Sequence, residues 1–220
     1  MNLPFTTEQF FNIMKNYNLD VWPMQIFLNI FALAVVSFII KRSRYSDKII
    51  FSILTFFWLW IGLIYHLIYF TSINKTAYVF GILFIIQGIL FFVFGVVKNS
   101  ILLQLKSDLY GITGAIFILY ALLIYPFLGA MFGHTYPSNP TFGLPCPTTI
   151  FTFGILIWTV KKIQIYVVII PLLWSLIGFS AALNLGVKED FGLLIAGVLG
   201  FILIIIKNKR FKEELKYSTV

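Results

Sequence analysis

KRSRYSDK, residues 41–48, runs directly into IIFSILTFFWLWIGLIYHLIYF, residues 49–70, and this pair of stretches decides the fold. The second stretch exceeds the roughly 20 apolar residues that a helix needs to cross a bilayer. The first places Lys41, Arg42, Arg44 and Lys48 at one end of it. A long apolar run with basic residues crowded at one end is the pattern of a transmembrane helix anchored on its cytoplasmic side.

Working outward, the same pattern recurs. Apolar runs extend over Val21–Ile40, Ile49–Phe70, Ala77–Val97, Leu109–Met131, a stretch ending at Val160, Ile163–Leu183 and Phe191–Ile206. The spacing therefore predicts an all-α, polytopic bundle of seven membrane-spanning helices forming a single domain over residues 1–220. Alternate connections hold Lys41 to Lys48, then Lys98 and Lys106, then Lys161 and Lys162, and finally the tail 207–220 with Lys207, Lys209, Arg210, Lys212 and Lys216. Thirteen basic residues thus share one side, against Lys15, Lys75 and Lys188 on the other. That asymmetry predicts a cytoplasmic C-terminus and an N-terminus outside.

Composition agrees. Only 11% of the 220 residues are charged, whereas 60% are hydrophobic and 19% aromatic. A soluble domain carries about 25% charged residues, so lipid must be the solvent for most of this chain. The net charge of +8 would suggest nucleic acid in a soluble protein. Here the basic residues lie between apolar runs, and the partner they imply is anionic membrane lipid. The lone Cys146 excludes an intrachain disulfide. The N-terminal stretch lacks a basic leader region and contains Glu8, so the first crossing is expected to act as an uncleaved insertion signal.

Ahead of that crossing, residues 6–18 read as a short interfacial helix. Thr6 and Gln9 fit a capping box, and Phe10, Ile13, Met14 and Tyr17 share one face.

Between Asp108 and Lys161 lie 52 residues without a Lys, Arg, Asp or Glu. Within them GHTYPSNPTFGLPCPTTIFTFG, residues 133–154, holds Pro137, Pro140, Pro145 and Pro147. Proline cannot continue a helix but suits its first turn, so the fifth helix is expected to begin near Pro147. From there to Val160 it reaches about 21 Å, short of a hydrocarbon core about 30 Å thick. The proline-rich segment 133–149 is then either re-entrant from the outer side or a rigid loop that closes the outer face. A short helix starting inside a cavity would offer free N–H groups, with Thr148 and Thr149 adding hydroxyls, to an anion or a polar headgroup.

GHTYP and TFGLPCPTTIFT, with LPFTTEQFF, WLWIGLIYH and LGVKEDFGLLIAG elsewhere, resemble an uncharacterised family of bacterial multi-pass membrane proteins, a domain of unknown function. The resemblance covers nearly the whole chain. It implies the helical fold and a bacterial inner membrane, and brings no activity with it.

The remaining candidates gather at the outer level. Tyr65 and His66 close the second crossing on a stripe with Trp58, Gly62 and Tyr69, read either as a site or as an aromatic interfacial belt. His134 opens the proline-rich segment, Thr141 and Cys146 lie within it, and Glu189 and Asp190 precede the last helix. Two imidazoles, a thiol and carboxylates are ligands that zinc or another transition metal accepts, and His66, His134 and Asp190 form the metal alternative. No close ligand spacing supports it, and Asp190 also suits an N-cap of the last helix.

Several classes are disfavoured. The last helix has no lysine before Lys207, which argues against a retinal protein. No acidic residue occupies mid-helix, as ion-coupled carriers require, and two histidines fall short of the three used by seven-helix zinc hydrolases. Three readings remain: binding or transport of a small solute, anion or lipid headgroup at an outward-facing site; a metal-dependent hydrolase or transferase; and a structural subunit docking a partner, with oligomerisation open.

Overall fold

In the computed structural model residues 3–217 are described; residues 218–220 and the side chains of Lys212 and Lys216 in the basic tail lie outside the described residues. Among the described residues nine α-helices follow one another: α1 Thr7–Asp20, α2 Met24–Ile40, α3 Ser46–Trp60, α4 Ala77–Phe91, α5 Leu109–Leu119, α6 Tyr125–Met131, α7 Pro145–Ile157, α8 Tyr166–Leu185 and α9 Phe191–Tyr217. Three of them continue through wider π turns, at Ile61–Tyr69, Phe92–Val97 and Tyr120–Ile124. Among the described residues the only β pairing is in isolated bridges.

Among the described residues five continuous rods are long and apolar enough to cross a membrane: Ser46–Ser72, Ala77–Val97, Leu109–Met131, Tyr166–Leu185 and Lys188–Phe211. A sixth is reached if α1 and α2, which meet at 85°, count as one broken span. The chain is a multi-pass, all-α membrane protein. Seven apolar helices are obtained only by adding α2, of 17 residues, and α7, of 13, to the five long rods.

Helix α1 starts as its sequence dictates. Thr6 accepts from the Gln9 N–H at 3.2 Å and the Gln9 side chain accepts from the Thr6 N–H at 2.8 Å, closing the expected capping box. Helices α3 and α4 approach closely because glycines face each other: a Cβ on Gly62 would lie 2.9 Å from the Gly81 carbonyl oxygen. In lipid, where helix association depends on close backbone packing, such small-residue contacts set the crossing.

The position of α7 was not legible from its run. Every residue of it except Cys146 is buried, so the helix lies inside the bundle, packed against α5, α8 and α9. A helix this short leaves its end carbonyls away from the boundary, and buried carbonyls need partners. The Lys207 ammonium of α9 donates to the Ile157 carbonyl at 3.0 Å. The 98–108 connection tucks inward, burying Ile101 and Leu103, and its Gln104 N–H reaches the Trp158 carbonyl at 2.9 Å. Asp47 fixes this connection by accepting from the Leu103 N–H at 3.0 Å while binding Arg42 through both carboxylate oxygens.

Gln87 has a comparable task. Pro171 inside α8 has no N–H, which leaves the Val167 carbonyl one turn earlier without its helical donor. The Gln87 amide of α4 supplies it across the interface at 2.9 Å. Gln87→Leu is expected to lower stability by about 1–2 kcal/mol in reversible unfolding in detergent, the size of an interhelical hydrogen bond in a membrane. Adding Pro171→Ala should recover part of that loss, because residue 171 then donates its own N–H. Equal losses in the single and double variants would show that the bond carries nothing.

Candidate functional site

The first turn of α7 is nearly closed to an outside acceptor. It begins at Pro145, two residues before the expected start, with Leu144 as the N-cap and Pro147 also in the turn. Neither proline has an N–H, and the Thr148 N–H already donates to the Leu144 carbonyl at 3.3 Å. Only the Cys146 N–H is left, so the cluster of free donors expected for an anion does not form. The threonine hydroxyls do not supply it either: Thr149 donates to the Pro145 carbonyl at 2.8 Å. Thr148 is buried with its hydroxyl unpartnered among the described residues. Thr152, one turn on, donates to the Thr148 carbonyl and accepts from the Trp58 indole at 3.0 Å.

Beside this turn lies a cavity of about 240 Å³. Cys146, Leu144 and Pro140 form one wall, and Phe5 and Met14 of the α1 region form another. Tyr65 and Phe70 close it from the end of the Ser46–Ser72 rod, Phe80 from α4, and Trp174 and Ala181 from α8. Asp190 and Tyr125 are polar residues of its inner end, beside Cys146, and Asn74, Thr76 and Ser180 also line it. The Tyr125 hydroxyl donates to the Asp190 carboxylate at 2.6 Å, and the Cys146 thiol neighbours both Asp190 and Trp174. Asp190 is 4% exposed and no Lys or Arg lines the cavity. Among the described residues no α9 N–H donates to the Asp190 carboxylate, and a 3-10 turn over Lys188–Asp190 leads into that helix.

His66 stands one layer behind the cavity. It is fully buried, with its ring 5.1 Å from Trp174 and 4.8 Å from Phe84, and neither ring nitrogen has a partner among the described residues. The π turn in which it sits brings Tyr65 and His66 both to the inside of the bundle. His134 lies elsewhere, under Phe11 of α1 at 4.7 Å, with its Nδ1 2.8 Å from a carboxylate oxygen of the buried Glu189. The metal alternative therefore loses its geometry: His66 is walled in by aromatic rings, His134 is held by Glu189, and Asp190 is held by Tyr125. Among the described residues no three of His, Cys, Asp and Glu converge as metal ligands.

Thr141 serves the loop rather than a ligand. Its hydroxyl donates to the Asn18 side-chain oxygen at 3.0 Å, and the Asn18 amide donates to the Pro137 and Asn139 carbonyls at 2.7 and 2.8 Å. Gln25 in turn donates to the Asn18 carbonyl at 2.7 Å. The proline-rich segment is thus clamped to α1, and Phe142, Leu144 and Pro145 are buried beneath it.

Residues 7–215 match a family model described as a family of unknown function, DUF6064. The chain belongs to that family. No curated protein and no solved structure matches it.

In this DUF6064 chain three groups therefore emerge from the nine candidate residues. Tyr65, Cys146 and Asp190 meet at the cavity, with His66 behind its Trp174 wall. His134 and Glu189 pair beside it, Thr141 and Thr149 are spent on loop and helix, and the buried Thr148 hydroxyl has no partner among the described residues. Sequence reasoning missed Tyr125, Trp174 and Asn18. The aromatic pair read as parts of apolar runs, and Asn18 as a polar residue at a surface. The one signal within reach was that Asn18 follows Tyr17 on a helix whose apolar face extends to it.

Proposed function

We propose that this protein is a ligand-binding protein of the bacterial inner membrane, with its α1 end outside, that takes an apolar or amphiphilic small molecule into the cavity beside Cys146. One observation carries this reading: a concave, largely apolar and aromatic space with Asp190, Tyr125 and Cys146 together at its inner end, the pattern of small-molecule sites. Its volume of about 240 Å³ lies just below the usual range for drug-sized ligands, about 300–1,000 Å³. It suits a small molecule or one end of a longer lipid-like one. The rim residues Ile177 and Ser180 of α8 and Thr76 before α4 are exposed, which supports entry between these helices. The thirteen basic residues at the opposite end support the orientation. An anion is disfavoured, because the α7 start lacks free donors and the cavity holds a carboxylate.

The test is to fill the space. Ala181 lines it and is half-buried, so Ala181→Trp can occupy the cavity from the α8 side. Parent and variant would be purified in lipid nanodiscs and their bound small molecules extracted for mass spectrometry. A compound enriched with the parent and depleted at least about tenfold with the variant, a shift of 1.4 kcal/mol, is the expected result. Identical extracts from two folded proteins would overturn the proposal.

A further inference from the structure

We infer that the ligand is a lipophilic organic cation whose positive end sits on Asp190 between aromatic walls. This rests on the cavity reading above and names the ligand class it leaves open. Asp190 is buried, and a carboxyl out of water keeps its charge only with a counter-charge or a full set of hydrogen bonds, and otherwise takes up a proton. Its side-chain partners among the described residues are Tyr125, at 2.6 Å, and the Cys146 thiol, both neutral donors, and it makes no ion pair there. The nearby charged groups are otherwise engaged. Glu189 is bound to His134, and the Lys188 ammonium lies over the Phe132 ring at 5.1 Å. The cavity itself contributes no cation.

Its walls supply the second half of the recognition. Tyr65, Phe70, Phe80, Tyr125 and Trp174 surround the space. Aromatic faces attract cations through their quadrupole, most strongly when water is excluded, and rings around a carboxylate are a general solution for alkylammonium groups. The rings also make Lys or Arg from the protein unnecessary. The Trp174 indole N–H, on a residue 8% exposed, has only the Cys146 sulfur beside it among the described residues and can serve a polar atom elsewhere on the ligand. A phosphate or carboxylate ligand would meet Asp190 with like charge, whereas a neutral hydrocarbon would offer it neither a charge nor a hydrogen bond.

The single cysteine provides the assay, because Cys146 lines the same space. Its alkylation by N-ethylmaleimide in nanodiscs would be followed by intact-protein mass spectrometry at increasing concentrations of phenyltrimethylammonium or of its neutral isostere tert-butylbenzene. The cation is expected to protect Cys146 with a lower Kd than the isostere. Asp190→Asn should raise that Kd about tenfold or more, the factor of one charged contact, and leave the isostere unchanged. Phe80→Leu, a milder change at a half-buried wall, should weaken the cation about two- to fivefold and serves if Asp190→Asn does not fold. Equal protection by both probes, or a cation affinity indifferent to both substitutions, would overturn the cation assignment and leave the cavity reading standing. Protection by neither probe, with Ala181→Trp labelled as fast as the parent, would overturn both.

Discussion

Gly154→Leu should yield no folded protein. Gly154 lies in the last turn of α7, where that helix crosses α5, and a Cβ there would sit 2.8 Å from the Gly114 carbonyl oxygen and 3.2 Å from the Ile118 nitrogen. Both are backbone atoms and neither can rotate away. The contact is reciprocal, since a Cβ on Gly114 would lie 2.6 Å from the Gly154 carbonyl oxygen. Relief would require α7 to move, but its residues other than Cys146 are buried, with α8 and α9 behind it. Overpacking a core costs about 1–3 kcal/mol where side chains can adapt. Separating two helix backbones exceeds that and consumes most of a marginal stability of about 5–15 kcal/mol. The check is the monodisperse fraction after detergent extraction, beside Gly178→Ala, whose new methyl meets only the Leu193 and Trp174 side chains at 3.0 Å or more. The control should behave as the parent. A monodisperse Gly154→Leu protein would mean that the central helix is not held at this crossing.

The contrast between α7 and the long rods shows what the sequence makes legible. A rod facing lipid along one side must stay apolar for its whole length, because no water reaches its backbone. Ser46–Ser72 and Tyr166–Leu185 are written openly as runs for that reason. Helix α7 is enclosed by protein, so its ends can be satisfied by distant groups. Lys207 and Gln104 cap one end, and Pro145 and Pro147 remove the donors at the other. Those partners are more than 40 residues away in the chain, and no periodicity announces them. The candidate site divides in the same way. Cys146 and Asp190 stood out as polar residues at the right level, whereas the aromatic walls that give them a chemical meaning are ordinary members of apolar runs. His66 and His134 share that level too, but a common depth does not bring two side chains face to face around a bundle.

Asn18→Leu should cost about 2–3 kcal/mol and speed the alkylation of Cys146 at least severalfold, an effect of two orphaned acceptors and a released loop. Asn18 is fully buried, and its amide donates to both the Pro137 and Asn139 carbonyls while its oxygen accepts from Thr141. Leucine has a similar volume and none of these bonds. The two loop carbonyls are only partly buried and can turn to water once the loop lifts, which limits the thermodynamic loss. Lifting the loop, however, moves Pro140 and Leu144 in the wall beside Cys146. The larger change is therefore expected in access to the cavity rather than in unfolding. Thr141→Val separates the two effects, because it removes one hydrogen bond to Asn18 and keeps both donors to the loop. It should lower stability by about 1 kcal/mol, the net worth of a single bond, with little change in labelling. If Asn18→Leu lowers stability and leaves the Cys146 rate at the parent value, the loop does not govern entry, and the route must lie between α4 and α8, where Thr76, Ile177 and Ser180 line the rim.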